Sequence, residues 1–490
     1  MARAQGHRPV LDHCHHPGTV FLYHTQTEVA GPMAQHRHPQ FYGRKIVVAG
    51  LGISGLWTAR YLAAHGADVT VSEKRPEMDL DPGMCREIRA LGVVLEAGGH
   101  TMKTFMEADM IIVSPGVPTD IPILHAAREK GIQVIGELEL AGRLVQAPVI
   151  AITGTNGKST VTAALSRMLE LAGLNVFVGG NIGTPLMALA AGGEKPDYAV
   201  VEVSSFQLDT TVTFCPRISV ILNITPDHLD RYRGYDDYVR SKLKIFSNQK
   251  SGHHLVLNDD DQRLAGINPS SGVSVLRYGT AQKPGRHAYV KNGEILARTD
   301  DRQPDRFPVA SYKLPGKHNR QNLMAVILAC RLIGIDPAVI RRHIGNLRGL
   351  PHRLEYVGEV EGVTYYDDSK ATNVDAAVRA VESFDRPLIL IAGGRHKGAD
   401  YSPLVRACKK QVRKAVFLGE AKDLLCAAFD GCIAFSTARD MAEAVALARQ
   451  SAQRGDTVLL SPACASFDMF SDYRDRGRVF KSIVAGLSRG

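Results

Sequence analysis

Twice in this chain a run of β-forming apolar residues stops on glycine and resumes as helix, and that alternation restricts the fold more than any other feature. The two units are VVAGLGISGL, residues 47–56, and VIAITGTNGKSTV, residues 149–161. The same rhythm recurs along the chain. KIVVAG, ADVTVS, DMIIVSPG, PVIAITG, DYAVVEVSS, RISVILN, HHLVLN, PLILIAGG, KAVFLG and DTVLLSPA are short apolar runs separated by helical stretches. Short strands alternating with helices predict an α/β fold of doubly wound parallel sheets. Ligands of such folds gather beyond the carboxyl ends of the strands. The unusual polar residues fall there: Ser114, Gly154–Ser159, Glu202, Asn223–Asp230, Gly393–Lys397 and Ser461–Ser466.

A chain of 490 residues holds several domains. Breaks in composition at LVQAPV (144–149) and GNLRGLPHRLE (345–355) predict three: a Rossmann-like domain over 41–137, a central P-loop ATPase-like domain with a parallel sheet over 138–349, and a Rossmann-like domain over 350–490. Residues 260–315 read as loop-rich and antiparallel. Residues 1–40 carry His7, His13, His15, His16, His24, His36 and His38 without periodicity, and read as a disordered leader rather than a metal tract, with Met33 as an alternative start. No apolar run reaches the roughly 18–20 residues of a membrane helix. No charged start precedes an apolar segment, so no signal peptide is expected. None of the eight cysteines forms C-x-x-C, which argues against a zinc clasp or disulfide frame and for a cytoplasmic protein. The net charge of +9 is dispersed, densest at KKQVRK (409–414), without a nucleic-acid motif. It reads as a solvated surface or a steering field for small polyanions.

In the first unit, Gly50, Gly52 and Gly55 form G-x-G-x-x-G, and Glu73 closes the next strand about 20 residues on, the dinucleotide fingerprint. Alone this suggests a nicotinamide enzyme. Bare amides at a helix N-terminus attract any diphosphate, however, and a sugar nucleotide fits as well. A ligand-free strand-to-helix turn is the bland alternative. No hydride-transfer constellation follows. The second unit departs from the P-loop spacing G-x-x-x-x-G-K-[ST], which places its first glycine at 152, where Ile152 stands. Gly154 instead makes the loop two residues shorter. Amides of Gly154, Thr155, Asn156 and Gly157 suit phosphate oxygens, Lys158 supplies a charge, and the Ser159 or Thr160 hydroxyl reaches Mg²⁺. Glu202 ends the next strand as a second metal ligand or merely an exposed carboxylate. His228 lies close to Asp227 and Asp230 at a strand end, where a metal or phosphate contact is expected.

GTNGKST, NIGTP, EVSSFQL, NITPDHLDRY, GKHNRQN, LPHRLE, DDSKATN and LLSPACASFD occur in this order, and from residue 45 to the C-terminus the chain resembles the Mur ligase family of cell-wall amide ligases. The resemblance is nearest to the member that adds D-glutamate to UDP-N-acetylmuramoyl-L-alanine. It implies an ATP- and Mg²⁺-dependent ligase working through an acyl phosphate, with one glycine loop for UDP and the other for ATP. It implies further that Lys158 and Ser159 contact ATP phosphates and Mg²⁺, that Glu202 and His228 are metal ligands, and that Lys242 is carbamylated and helps hold Mg²⁺. Asn319 and Asn322 fall on the adenine side, although a helix-capping asparagine is the local alternative. Arg353 becomes an ATP-phosphate or ribose contact, and Asp368 holds the ATP ribose. For the sugar nucleotide the resemblance implies Ile53, Ser54, Glu73, Arg75, Ser114, Gly116, Asn181, Ser204 and Asp227. For D-glutamate it implies Lys370, Thr372, Lys397, Ser466 and Phe467, with Tyr473 closing the pocket. Arg395 stands where some members carry an acid and is left outside the site. A monomer without nucleic-acid or membrane partners is expected. The competing readings are an L-alanine-adding Mur ligase, a folylpolyglutamate synthase, which lacks a domain ahead of its phosphate loop, an NAD-dependent oxidoreductase, and a non-catalytic nucleotide-binding regulator.

Overall fold

The computed structural model describes residues 39–225, 231–269, 272–347, 349–396 and 398–487. The histidine-rich leader expected over 1–40 falls almost wholly outside these residues. The described residues form one compact unit. Its strands make three sheets.

The first contains β1 (Lys45–Ala49), β2 (Asp68–Glu73), β3 (Val94–Ala97), β4 (Met110–Val113) and β5 (Gln133–Gly136), ordered β3-β2-β1-β4-β5 with every neighbouring pair parallel. The order reverses between β1 and β4, the switch point at which such sheets open a crevice. The second contains β6 (Val149–Thr153), β7 (Val176–Gly180), β8 (Tyr198–Glu202), β9 (Ile218–Ile221), β10 (His254–Asn258), β11 (Ser274–Tyr278), β12 (Ala288–Lys291), β13 (Glu294–Ala297) and β14 (Asp305–Pro308). Their order is β14-β13-β12-β11-β10-β9-β6-β8-β7. The strands from β7 to β11 pair in parallel, whereas β12, β13 and β14 form antiparallel hairpins at one edge. The third contains β15 (Glu355–Val360), β16 (Val363–Asp367), β17 (Leu388–Gly393), β18 (Val412–Leu418), β19 (Phe435–Thr437) and β20 (Thr457–Leu460), ordered β15-β16-β20-β17-β18-β19, with only β15 antiparallel.

Side chains alternate faces along a strand, so a strand covered on both sides is apolar throughout. Each sheet shows this directly. In β6, Ala151 joins the core shared with the first sheet, while Ile150 and Ile152 join the core beneath the long helix Lys317–Ile333. In β17, Leu388 and Leu390 face one core and Ile389 and Ile391 the other. In β1, Ile46 and Val48 are separated in the same way from Val47 and Ala49. Among the described residues no helix is long and apolar enough to cross a membrane.

The first and second sheets are joined by the helix Glu137–Leu144, and one of its carboxylates anchors it. Glu139, fully buried, accepts from the backbone N–H groups of Val212, Thr213 and Phe214, from Thr213 Oγ1 at 2.6 Å and from Arg143 Nε at 2.8 Å. Burial raises its pKa, but these donors outweigh that and hold it below the ordinary carboxylate value. Replacing Glu139 by Ala leaves these donors without their acceptor. We expect a loss on the order of 3 kcal/mol, seen as a lowered urea midpoint of the variant against the wild-type chain.

Candidate active site

The first glycine loop is shaped by close approach. Gly50 adopts φ +94°, and a Cβ on Gly55 would lie 2.1 Å from the Gly50 carbonyl oxygen, so only glycine lets the helix Ile53–Ala64 start this near β1. Gly52 faces open space. Ser114, at the end of β4, donates from Oγ to the Gly50 carbonyl at 2.9 Å and so ties the two strands of the switch point. Glu73 is engaged inside the loop: Oε2 accepts from Leu51 N–H at 2.8 Å, and Oε1 accepts from Arg75 N and Nε at 3.0 and 3.1 Å. Burial would raise its pKa, but the Arg75 and Leu51 donors hold it down at about 2. Its immediate task is therefore to brace the turn as an anion. Ile53 is half-exposed, and Arg75 and Gly116 are exposed at the same mouth. Ser54, half-buried, accepts at its carbonyl from Thr58 Oγ1.

The second loop is held by the end of β9. Asn223 Oδ1 accepts from Asn156 N–H at 2.8 Å, Asn223 Nδ2 donates to Asn156 O at 3.0 Å, and the Asn223 carbonyl accepts from Thr155 N–H at 2.9 Å. Thr155 Oγ1 accepts from Thr225 N–H and lies 3.1 Å from Tyr238 Oη. Gly157, at φ +87°, precedes the helix Lys158–Leu171, and a Cβ there would meet Asn322 Oδ1 at 2.8 Å. Two lysines converge on the loop from different elements. Lys158 Nζ donates to the carbonyls of Gly154 at 2.8 Å and Thr155 at 3.0 Å. Lys242 Nζ, in the helix Tyr235–Leu243 and almost fully buried, donates to the same Gly154 carbonyl at 3.0 Å and sits 4.7 Å from the Tyr238 ring centroid. Ser159 is half-buried and Thr160 buried in the first helical turn.

Glu202 ends β8 beside this loop, 1% exposed. Oε1 accepts from Asn181 Nδ2 at 2.9 Å, and Oε2 is buried with no hydrogen-bond partner. A buried carboxylate oxygen left unpaired is costly, and it is the donor atom a divalent cation takes up. Asp227, His228 and Lys397 lie outside the described residues. Ser204 serves a capping box: its Oγ accepts from Gln207 N–H, and Gln207 Oε1 accepts from Ser204 N–H at 3.0 Å. Asn319 and Asn322 do not cap the helix Lys317–Ile333, whose N-cap is Gly316. Asn319 Nδ2 donates to Pro315 O at 2.7 Å, and Asn322 Nδ2 donates to Asn319 Oδ1 at 3.3 Å.

In the third sheet, Asp368 follows β16, its Oδ2 accepting from Ser461 Oγ at 2.8 Å and its Oδ1 from Leu354 N–H at 3.1 Å. Burial pushes its carboxyl up to about 7 despite these bonds and the nearby Arg353. Arg353 is exposed. Lys370 Nζ lies 6.0 Å from the Tyr473 ring centroid, and Thr372 N–H donates to the Lys370 carbonyl. Ser466 is buried on the opposing loop, next to Phe467, which is 60% exposed. Arg476, which nothing in the motifs announces, joins the two walls. Its guanidinium donates to Ser369 Oγ and O at 2.9 Å on one side and to the Cys464 carbonyl at 3.2 Å on the other, and burial lowers its pKa to about 10. Asn223 likewise carries no motif role beyond standing at a strand end.

Three family descriptions match in succession: Mur ligase MurD-like, N-terminal domain, over residues 44–136; Mur ligase middle domain over 152–330; and Mur ligase, glutamate ligase domain, over 352–464. The chain belongs to the Mur ligase family and is an ATP-dependent, amide-bond-forming ligase, which removes the nicotinamide oxidoreductase reading of the first loop. It is 43% identical to the UDP-N-acetylmuramoylalanine--D-glutamate ligase of Geotalea uraniireducens over 92% of this chain and 99% of that one. The ligase of the same description from Desulfosudis oleivorans is 44% identical over 91% of this chain and 97% of that one. The crystal structure of UDP-N-acetylmuramate-alanine ligase MurC from Thermotoga maritima, 18% identical, shares the fold with a TM-score of 0.52, covering 90% of this chain and 99% of that one.

Between the first two sheets a small cavity is lined by Ser114, Pro115, Phe206, Gln207, Thr210 and Glu137. Glu137 Oε1 accepts from Met187 N–H at 2.7 Å, while its buried Oε2 has no partner. Burial pushes the carboxyl up to about 7, against the lowering effect of the Met187 bond. The folded chain thus keeps a proton that the unfolded chain releases near pH 4.5. This group's contribution to stability is therefore present at low pH and is lost as pH rises from about 4.5 through about 7. Glu137→Gln removes that dependence. Its unfolding midpoint should rise relative to wild type between pH 5 and pH 8 by an amount equivalent to about 1–3 kcal/mol. Asp368 titrates alike in both proteins and cancels. An equal gap at both pH values contradicts the assignment.

Proposed function

We propose that this chain adds D-glutamate to UDP-N-acetylmuramoyl-L-alanine in peptidoglycan synthesis, using ATP and Mg²⁺ and releasing ADP and phosphate. The observation that carries the reading is the shortened phosphate loop, two lysines at one of its carbonyls and an unpaired buried Glu202 oxygen beside it, in a chain whose relatives bear that activity along nearly their whole length. The substrate carboxylate attacks the γ-phosphorus, ADP departs, and an acyl phosphate forms. The D-glutamate amine then attacks the acyl carbon, and phosphate leaves as the amide forms. Such chemistry rests on positioning and charge neutralisation more than on covalent help from the protein.

We divide the work by segment: 41–137 for the uridine nucleotide, 138–349 for ATP, and 350–490 for the amino acid. Gly154–Thr160 cradle the triphosphate, and Lys158 exchanges its loop carbonyls for phosphate oxygens. Asn319, Asn322, Arg353 and Asp368 address the rest of ATP. Ser159, Glu202 and, from its motif alone, His228 would hold Mg²⁺, which when bound supplies neutralising charge to the phosphates. Lys242 carbamylation would replace an ammonium with an anion at that place. Ile53, Ser54, Glu73, Arg75, Ser114, Gly116, Asn181, Ser204 and Asp227 serve the sugar nucleotide. Glu73 acts there through the loop it braces. Lys370, Thr372, Lys397, Ser466, Phe467 and Tyr473 serve D-glutamate. We further take the chain to act as a monomer in the cytoplasm, and the free cysteines among the described residues suit a reducing compartment.

Phosphate release is the direct test. With UDP-N-acetylmuramoyl-L-alanine, ATP and Mg²⁺ present, D-glutamate should stimulate it; stimulation instead by L-alanine, with UDP-N-acetylmuramate as the acceptor, would transfer the chain to a different ligase step. Lys158→Ala should abolish turnover while the circular dichroism spectrum is kept, and activity near wild type would refute the phosphate-loop assignment. Lys242→Ala should lose most activity and regain part of it with added short carboxylic acids, read in the same phosphate assay.

A further inference from the structure

One bond crosses from the helix Val374–Glu382 to the phosphate loop, and no role described so far uses it. Arg379 donates from Nη1 to Asn156 Oδ1 at 3.1 Å. Both ends of this contact are built. The Asn156 main chain is held on its N–H and its carbonyl by the Asn223 side chain, so the Asn156 side chain is the part that projects from the loop. The Arg379 helix is capped by Asn373, whose Oδ1 accepts from Ala376 N–H at 2.8 Å, and it begins directly after Asp368, Lys370 and Thr372. A single rigid helix therefore runs from the proposed amino-acid pocket to the proposed ATP loop. Arg379 and Asn156 are both exposed, and an exposed polar pair adds little to stability, so folding alone does not account for the contact. A guanidinium also brings fixed positive charge and a planar fork of five donors, of which Asn156 Oδ1 and the Asp375 carbonyl engage two.

We propose that Arg379 is a positioning residue that couples nucleotide seating on the Gly154–Thr160 loop to docking of the segment carrying the amino-acid pocket, acting through Asn156. The inference rests on the reading of that loop as the ATP site. Its test uses the full chain as wild type, Arg379→Ala, Arg379→Lys, Asn156→Ala and the double Arg379→Ala/Asn156→Ala. KM is measured for ATP and for D-glutamate, together with thermal midpoints and a titration with a fluorescent ATP analogue. Arg379→Ala should raise both KM values about fivefold at an unchanged thermal midpoint, and Arg379→Lys should restore part of the loss. The double variant should be no worse than the worse single one, because the two residues act as a pair. A merely structural role would lower the midpoint without moving the two KM values together. KM values within twofold of wild type, a shift in the ATP value alone, or losses that multiply in the double variant overturn the proposal. Should the wild-type chain release no phosphate with D-glutamate, the functional reading fails separately. The analogue titration then decides Arg379: affinity weakened about fivefold by Arg379→Ala supports the coupling, and unchanged affinity overturns it.

Discussion

The grip of Asn223 on Asn156 is the constraint on which the central segment depends. A phosphate loop two residues short of the usual spacing has fewer amides with which to hold its own shape. Here the neighbouring strand supplies the missing order. Parallel pairing of β6 with β9 sets Thr153 beside Ile221, and two residues further on Asn223 reaches the loop with donor and acceptor together. Thr225 continues the contact to Thr155. The register of two buried strands thus decides the conformation of the loop at their mouth, and that loop receives Lys158 and Lys242 at one carbonyl.

The carboxylates around the site show how burial and donors compete. Glu73 and Glu139 are drawn into the fold yet kept ionised, because several N–H groups and an arginine converge on each. Glu137 and Asp368 are drawn in with fewer donors and are pushed up to about 7. The same side-chain chemistry therefore yields fixed anions at the turns and titrating groups near the cavity and the β16 end.

Much of this architecture is legible in the sequence. Strands buried on both faces, such as β6 and β17, stand out as unbroken apolar runs. The edge strands did not: β3 carries an exposed Val94 and the acidic Glu96, and β19 is only three residues long. The stretch expected to be loop-rich and antiparallel proved mixed, with β11 still parallel to β10 before the hairpins begin. At the site, the glycine spacing pointed to both loops because positive φ and close approach demand that residue. The family resemblance marks Ser204 as a substrate contact, whereas S-x-x-Q also spells the capping box it forms. Arg379 and Asn223 act across long sequence separations, which no local pattern encodes. Arg476 looks like any arginine of a charged amphipathic helix until the neighbouring strand ends surround it.

That buried arginine has a consequence for the loops that follow β16 and β20. Because one guanidinium stitches the Ser369 loop to the Cys464 loop, the stretches that follow β16 and β20 are tied together rather than left as two separate fingers. In the proposed amino-acid pocket such a tie would favour discrimination by outline, with adjustment to a longer or branched amino acid left to displacement of the third sheet.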